Sequence, residues 1–247
     1  MSDDGFEEFS FDTGDEVVQT RAKKFKGEEG RIYRLSFVWY DGLDDGAKGL
    51  LAAMSRENDE AKAPAPKFVG AKRHYVPSVG YFLHKGPEYS KLAGGAAPKM
   101  QIATIIVSWP CDKNGNVTTL DQAPGVMPWI FSAEKYDTIK GAHAQWPFGE
   151  HDLIAKCTRG QFQNFTFQSA KNNAVRKLIE SDKAPKIIDG IIDSAIGIRG
   201  NLKNEIARDM SLDQIREKLG ADGGSPVGDI QPQNSAAIDS ALDGILD

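Results

Sequence analysis

Cysteine and histidine are scarce in this sequence of 247 residues. The two cysteines, Cys111 and Cys157, are too few for a disulfide framework and do not form a metal-spaced pair. The four histidines are scattered, at positions 74, 84, 143 and 151, which argues against a metal site. We therefore expect no metal or cofactor, and a reducing compartment such as the cytosol is the simplest location.

Long apolar runs are also missing. The most apolar stretch, "IATIIVSW" at 102–109, is far shorter than the about 20 residues that span a membrane as a helix. The first residues, "MSDDGFEEFSFDTGDE", contain neither the basic region nor the apolar region of a signal peptide. These absences predict a cytoplasmic protein with no membrane partner.

Signatures of catalysis are absent as well. The sequence has no P-loop, no nucleophile elbow and no H-E-x-x-H zinc motif. "DKNGNV" at 112–117 resembles the start of a calcium loop, but the twelfth residue is Ala123 instead of glutamate, so we interpret it as a hairpin turn. "EHD" at 150–152 suits a cap or a surface better than an acid–base pair. We expect a protein that is not an enzyme.

Basic residues are missing from both ends of the chain. Residues 1–16 carry seven acidic residues and no Lys or Arg, and residues 219–247 carry five acidic residues and no Lys or Arg. The overall charge of −5 therefore leaves +7 on residues 17–218. A basic body with acidic ends suggests a polyanionic partner for the body. Acidic ends that merely improve solubility are the ordinary alternative.

The hydrophobic pattern predicts about six short strands followed by helices. The predicted strands are 31–40, 72–86 (broken at Pro77 and Gly80), 100–109, 126–132, 151–157 and 162–168. Helices are expected at 44–58, at 133–146 after the N-cap Ser132, and across 172–219. Short strands with regular turns favour a sandwich or a small barrel. A helix inserted before the last hairpin is characteristic of the OB-fold, so we predict a mainly β (α+β) OB-fold-like barrel with added helices.

The domain prediction follows the same pattern. It comprises an acidic and basic N-terminal arm (1–30), an OB-fold-like nucleic-acid-binding core (31–170), a helical extension (171–219) and a disordered acidic tail (220–247). Whether the helical extension packs on the barrel or mediates protein contacts stays open.

Aromatic residues alternate with basic and neutral polar residues on the predicted strands. A groove that binds single-stranded nucleic acid follows the phosphates with Lys and Arg and stacks bases on exposed rings. Burial in the core is the ordinary fate of a single ring, so this prediction depends on the set. The candidate residues are Lys72, Arg73, Tyr75, Tyr81, Lys85, Trp109, Trp129, Lys156, Arg159, Phe162, Phe165 and Phe167.

Strand alternation divides the phenylalanines of the last hairpin. Phe165 and Phe167 are two residues apart and must share a face, whereas Phe162 points to the other side. One of the two sets is expected in the core.

The end of the chain has one apolar face on an acidic peptide. Ile238, Leu242 and Leu246 recur every four residues, each followed by an aspartate at 239, 243 or 247. Such a segment can dock into a groove of a partner protein. The candidate partner-binding residues are Ile238, Asp239, Leu242, Asp243, Leu246 and Asp247.

"PWIFSAEKYDTIKG" at 128–141 and "HDLIAKCTRGQFQNFTFQ" at 151–168, within a basic β-rich body that has an acidic tail, resemble bacteriophage single-stranded DNA-binding proteins. The resemblance covers residues 30–170 and the tail. It implies an OB-fold core, binding of single strands without sequence preference, and a tail that contacts replication proteins such as a polymerase, helicase or primase. The chain departs from that group at its end, because such tails often end in an aromatic residue and this one ends "GILD".

The predicted function is therefore binding and protection of single-stranded DNA during replication and recombination, in the cytoplasm of a bacterial host, with self-association on DNA as a further expectation. One alternative is a phage structural or assembly protein whose aromatic residues form subunit contacts. Another is an enzyme with an unrecognised site, which would need a buried cluster of titratable residues.

Overall fold

The computed structural model describes residues 23–40, 42–55, 68–119, 123–160 and 163–221. These residues form seven strands and seven helices. In chain order they are β1 (Ile32–Phe37), α1 (Gly46–Ser55), β2 (Phe68–Val76), β3 (Gly80–Leu83), α2 (Pro87–Leu92), β4 (Lys99–Trp109), β5 (Gly125–Ser132), α3 (Ala133–Gln145), β6 (Leu153–Arg159), β7 (Asn164–Ser169), α4 (Ala174–Ser181), α5 (Pro185–Arg199), α6 (Leu202–Ile206) and α7 (Leu212–Ala221). The predicted combination of an antiparallel β-sheet with several helices is confirmed.

Strand β4 is the centre of the antiparallel sheet. The strand order is β3-β2-β4-β1-β6-β7, and β5 pairs with β4 outside this path. Residues 99–104 of β4 pair with β2 and residues 106–109 pair with β1, while residues 101–108 also pair with β5. A strand has two edges, so β2 and β1 share one edge of β4 in succession and β5 occupies the other.

One face of the sheet carries most of the aromatic core. Phe37 stacks on Phe148 with ring centroids 4.3 Å apart, and Phe68 meets Tyr136 of α3 edge to face at 5.1 Å. Helix α3 begins as predicted after Ser132, whose hydroxyl accepts a hydrogen bond from the Lys135 amide. This helix therefore covers the face of the sheet on which Phe37 and Phe68 lie.

Residues 23–30 pack against the sheet, although the sequence analysis assigned them to the N-terminal arm. Phe25 is buried, and its amide donates to the Pro128 carbonyl of β5 at 2.9 Å. The Gly27 amide donates to the Gln163 side chain at 2.7 Å, and the Gly30 amide donates to the Cys157 carbonyl at 2.8 Å. The segment thus connects β5 to the β6–β7 hairpin.

The C-terminal helices α5 and α6 pack on the other face of the sheet. The buried side of α5 belongs to the same core cluster as β1, β4 and β5. Arg73, on the face of β2 opposite to Phe68, donates to the Ile206 carbonyl of α6 at 2.9 Å. Helix α7 instead joins a small second cluster with Val79, Phe82 and Tyr89.

The sequence predicted a single helical stretch over 201–220, and the structure divides it. Helix α6 ends at Ile206 and α7 begins at Leu212. Between them, Arg208 forms a parallel bridge to Phe82, with Arg208 N–Tyr81 O at 3.1 Å and Leu83 N–Arg208 O at 3.0 Å. The backbone groups on the edge of β3 need hydrogen-bond partners, and this extended segment supplies them. The helix is therefore interrupted between Ile206 and Leu212.

Candidate nucleic-acid interface

Two exposed tyrosines stand opposite each other on the β2–β3 hairpin. Tyr75 and Tyr81 are paired across the ladder, and their ring centroids lie 4.8 Å apart at an interplanar angle of 45°. Tyr75 is 57% exposed and Tyr81 is 45% exposed. Large rings this exposed are available to a flat ligand, because the hydrophobic effect favours covering them.

Arg73 extends this pair into a row of three groups in contact, which we call the aromatic ladder. Its guanidinium carbon lies 3.9 Å from the centroid of the Tyr81 ring. The same group is held from behind by the Ile206 carbonyl at 2.9 Å and the Gln101 side chain at 3.3 Å. Tyr81 thus contacts both Arg73 and Tyr75, and Tyr75 is the more exposed of the two rings.

The surroundings of the hairpin are mainly basic. Lys72 and Lys85 are exposed on β2 and just after β3, and Lys85 forms an ion pair with Asp209. Lys99 pairs with Arg73 across the ladder, and Arg208 lies along β3. Lys72 alternates with Arg73 along β2 and therefore lies on the opposite face of the strand. We call the other residues the hairpin patch: Arg73, Tyr75, Tyr81, Lys85, Lys99 and Arg208. It brings together four of the residues that the sequence predicted.

Two other predicted residues are in the core. Trp109 is 3% exposed and donates its indole N–H to Ser36, and Trp129 is 1% exposed among Phe25, Phe131 and Phe165. A ring with no free face cannot stack on a base, so neither tryptophan presents a stacking surface. Period-two alternation in the strands could not reveal this, because both faces of β4 and β5 are covered.

Phe165 and Phe167 share one face of β7, as alternation predicted. Their rings stack at 6.2 Å with an interplanar angle of 12°. Both are half-buried at the edge of the aromatic core, and the Lys135 ammonium lies 5.0 Å above the Phe165 ring. Burial lowers the pKa of Lys135. The two rings therefore pack mainly against the edge of the hydrophobic core.

The basic residues of that hairpin lie on the opposite face from these rings. Lys156 pairs with Thr166, which alternates with the two phenylalanines. A register shift between Cys157 and Arg159 pairs Arg159 with Asn164, on the same face as Thr166. Lys156 and Arg159 are exposed there. The structure thus separates the cations from the rings that the sequence placed beside them, and Phe162 lies outside the described residues.

Sequence reasoning missed a basic groove at the other end of β4. This groove has a volume of about 930 Å³ and lies between residues 23–28 and the ends of β1, β4 and β5. Its charged lining residues are Lys23, Lys24, Lys26, Glu28 and Arg31. The signal was present in "RAKKFK" at 21–26, where Phe25 interrupts a basic run, since an apolar residue there can anchor the run to a core.

A buried ion pair fixes the sheet to the start of α4. Arg34 Nε lies 2.8 Å from the fully buried Asp152, whose carboxylate also accepts from the Ser36 hydroxyl and the Ala174 amide. Arg34 reaches the Asn172 carbonyl and side chain at 2.9 and 2.7 Å. Each of these groups already has partners, so the cluster has a structural role.

Within the described ranges, no group of three or more His, Cys, Asp or Glu side chains is placed to hold a metal ion. No helix in the same ranges is long and apolar enough to cross a membrane. The predicted tail residues 238–247 lie outside the described part of the chain.

No protein-family model matches the chain, and no curated protein or solved structure matches it either.

Proposed function

We propose that the protein binds single-stranded DNA without sequence preference and protects it during replication and recombination. The observation that carries this proposal is the exposed ladder of Arg73, Tyr81 and Tyr75 within the hairpin patch. A base can stack on the exposed ring of Tyr75, and a stack of this kind is worth about 1–3 kcal/mol whatever the base. Lys99, Arg208 and the other cations of the patch supply the phosphate contacts.

We also propose that the sheet is a barrel of the OB type. Three features support this assignment: β4 has partners along both edges, α3 follows β5 and covers the aromatic face, and residues 23–30 connect β5 to the β6–β7 hairpin. A barrel of this kind presents an outer strand surface and loops to single strands.

The charge distribution supports a polyanionic ligand. The described residues contain 26 Lys and Arg against 18 Asp and Glu, a net charge of +8. The acidic C-terminal tail, with its apolar spacing at Ile238, Leu242 and Leu246, would then be released by DNA and recruit replication proteins.

Binding of a fluorescein-labelled oligo-dT tests the proposal. The anisotropy of the label is a better signal than the intrinsic tryptophan fluorescence of the protein. Trp39, Trp109 and Trp129 are buried and cannot contact a base. Four phosphate contacts predict a slope of log K against log salt of about −3. Affinity should therefore fall about a hundredfold between about 50 and about 300 mM salt. Absence of binding at the lower salt concentration would reject the function.

One observation favours the assembly alternative. Strand β7 is the last strand in the sheet order, and its Phe165 and Phe167 are only half-buried. A half-exposed aromatic edge can pair with another chain. Sedimentation at increasing concentration decides: stable oligomers that dissociate in Phe167→Ser, together with no binding of oligo-dT, would favour assembly over DNA binding.

A further inference from the structure

The basic groove has a strong excess of positive charge. It is lined by four basic residues, Lys23, Lys24, Lys26 and Arg31. Among the described residues, Glu28 is the only acidic residue in the lining. Residues from the ends of β1, β4 and β5, among them Ile32, Trp109 and Met127, also line it. A cavity of about 930 Å³ with this lining suits an extended acidic peptide.

The basic side chains of the groove differ in how strongly other groups of the protein bind them. Lys24 is bound to α6 through the Glu205 carbonyl and lies 3.7 Å from its carboxylate. Arg31 pairs with Glu28 at 3.1 Å, and both side chains are more than half exposed, so this pair is weak and exchangeable. Lys23 and Lys26 are exposed. Their two ammonium groups and the guanidinium of Arg31 are the charges that a ligand can use.

The chain itself carries a matching segment next to this groove. Residues 1–16 contain seven acidic residues and no basic residue, and only residues 17–22 separate them from Lys23. Six residues reach at most about 20 Å when fully extended. We propose that the groove binds residues 1–16 of the same chain as an acidic peptide in cis. The tether gives that segment a high effective concentration at the groove without any further contact.

The other acidic segment is attached at the opposite end of the molecule. Leu219, near the end of α7, packs against the cluster that contains Val79 of the β2–β3 turn. The groove lies instead at Trp109, where β4 ends. The eleven residues of β4 separate these two ends by roughly 35 Å. Residues 222–247 are long enough to span this distance, but the six-residue linker keeps residues 1–16 nearer to the groove and gives them the higher effective concentration there.

A peptide-binding experiment tests this without nucleic acid, so its result is independent of the proposed DNA function. The probe is a fluorescein-labelled peptide of residues 1–16. The receptor is the full-length chain in which the seven acidic residues of 1–16 are changed to Asn or Gln. We expect the peptide to bind this variant about tenfold more tightly than it binds the wild type, whose groove is already occupied.

The groove variant and its control locate the site. In the same background, Lys23→Gln with Lys26→Gln should weaken peptide binding about tenfold, and raised salt should do the same. Lys140→Gln with Lys186→Gln removes equal charge from exposed positions on α3 and α5 and should leave binding unchanged. Equal affinity of wild type and amide variant, or no loss in the groove variant, would overturn the proposal. Tighter binding of a peptide of residues 222–247 would overturn it too.

Discussion

Tyr75 and Tyr81 are direct partners across the β2–β3 ladder, and both rings remain exposed to solvent at a centroid separation of 4.8 Å. Arg73 packs on the far side of Tyr81 and is itself anchored to α6 and Gln101. A stacking surface needs rings that are rigid before the ligand arrives, because ordering them on binding would cost free energy. Here the backbone ladder and the anchored guanidinium provide that rigidity.

Removing the Tyr75 ring should weaken binding of single-stranded DNA. Tyr75→Ala is expected to cost about 1–3 kcal/mol of binding free energy, because one base loses its stacking partner. Tyr75→Phe keeps the ring and should retain most of the affinity. Anisotropy titration with labelled oligo-dT measures both variants.

The matched control for Tyr75→Ala is Met100→Ala, another exposed apolar side chain close to the same hairpin. This change should leave the DNA affinity nearly unaffected, since a methionine offers no aromatic face. If the Tyr75→Ala and Met100→Ala variants bind oligo-dT with equal affinity, Tyr75 does not provide the stacking surface.

Deleting residues 222–247 should raise the affinity for single-stranded DNA. Those residues carry five acidic and no basic residues, and α7 ends in the cluster that also includes Val79 of the hairpin turn. A tethered acidic segment competes with phosphates for the hairpin patch. The gain should be several-fold at about 50 mM salt and should largely disappear at about 300 mM, because salt screens the competition. Equal affinities of the full-length and shortened chains at low salt would argue against this role.

The sequence predicted the elements of this fold better than their environment. Strand and helix patterns were recovered because periods of two and 3.6 depend on local alternation. Trp109 and Trp129 were misplaced as surface rings because both faces of β4 and β5 are covered, by helices and by distant segments such as the one that contains Phe25. No local signal in the sequence records that cover. The packing of residues 23–30 on the sheet was not predictable, because their hydrogen-bond partners, such as Pro128 and Gln163, are more than a hundred positions away.

The candidate site was predictable in part for the same reason. The residues of "KRHYVPSVGY" lie on one hairpin, so their proximity in the sequence became proximity in space. Lys156 and Phe165 are also close in sequence, but the strand alternation and the register shift place them on opposite faces. Sequence proximity within a hairpin is therefore informative only when the ladder register is known.

Acidic pH should destabilise the hairpin through His74. This side chain is buried, its Nε2 lies 3.0 Å from His84 Nδ1, and burial holds the pKa of His74 below the ordinary 6.5, with the His84 ring contributing. The unfolded chain then binds a proton more readily than the folded one, so the free energy of unfolding decreases as the pH falls through and below 6.5.

The measurement is thermal unfolding at two pH values. The wild type should lose more stability than His74→Gln when the pH changes from about 7.5 to about 5.5. The comparison uses the change with pH in each protein, so any constant cost of the substitution cancels. Equal losses in the two proteins would show that His74 does not couple protonation to folding.

Breaking the buried pair of Arg34 and Asp152 should destabilise the protein strongly. Among the described residues, the three hydrogen-bond partners of the Asp152 carboxylate are all donors. The amide N–H group of an asparagine at this position would therefore face a donor. Asp152→Asn also leaves the Arg34 charge buried without its counter-ion. We expect a loss of about 3–5 kcal/mol in the free energy of unfolding, measured by urea denaturation.

An exposed ion pair provides the control for Asp152→Asn. Asp44 lies 2.7 Å from Arg199, but its side chain is 67% exposed. Asp44→Asn should change the denaturation midpoint little, because water solvates both separated groups. Similar effects of the two substitutions would mean that burial does not make the Arg34–Asp152 pair critical.

The packing of residues 23–30 on the sheet can be tested at Gly27. A Cβ atom there would lie 2.6 Å from the Phe165 ring and 3.0 Å from the Cys157 sulfur. The Phe165 ring cannot easily move away, since Phe25 and Trp129 contact it at centroid distances of 6.0 and 5.7 Å. Gly27→Ala should therefore cost about 1–3 kcal/mol of stability, the range typical of overpacking.

The same substitution in an open position distinguishes a steric clash from a general effect of replacing glycine. Gly141 lies within α3, and a Cβ atom there meets nothing within 4 Å. Gly141→Ala should stabilise the protein by about 0.5–1 kcal/mol, because alanine loses less backbone freedom on folding. Thermal unfolding of both variants should thus give opposite signs. If Gly27→Ala is as harmless as Gly141→Ala, residues 23–30 do not pack on the β6–β7 hairpin in solution, and the basic groove that they help to form would be lost as well.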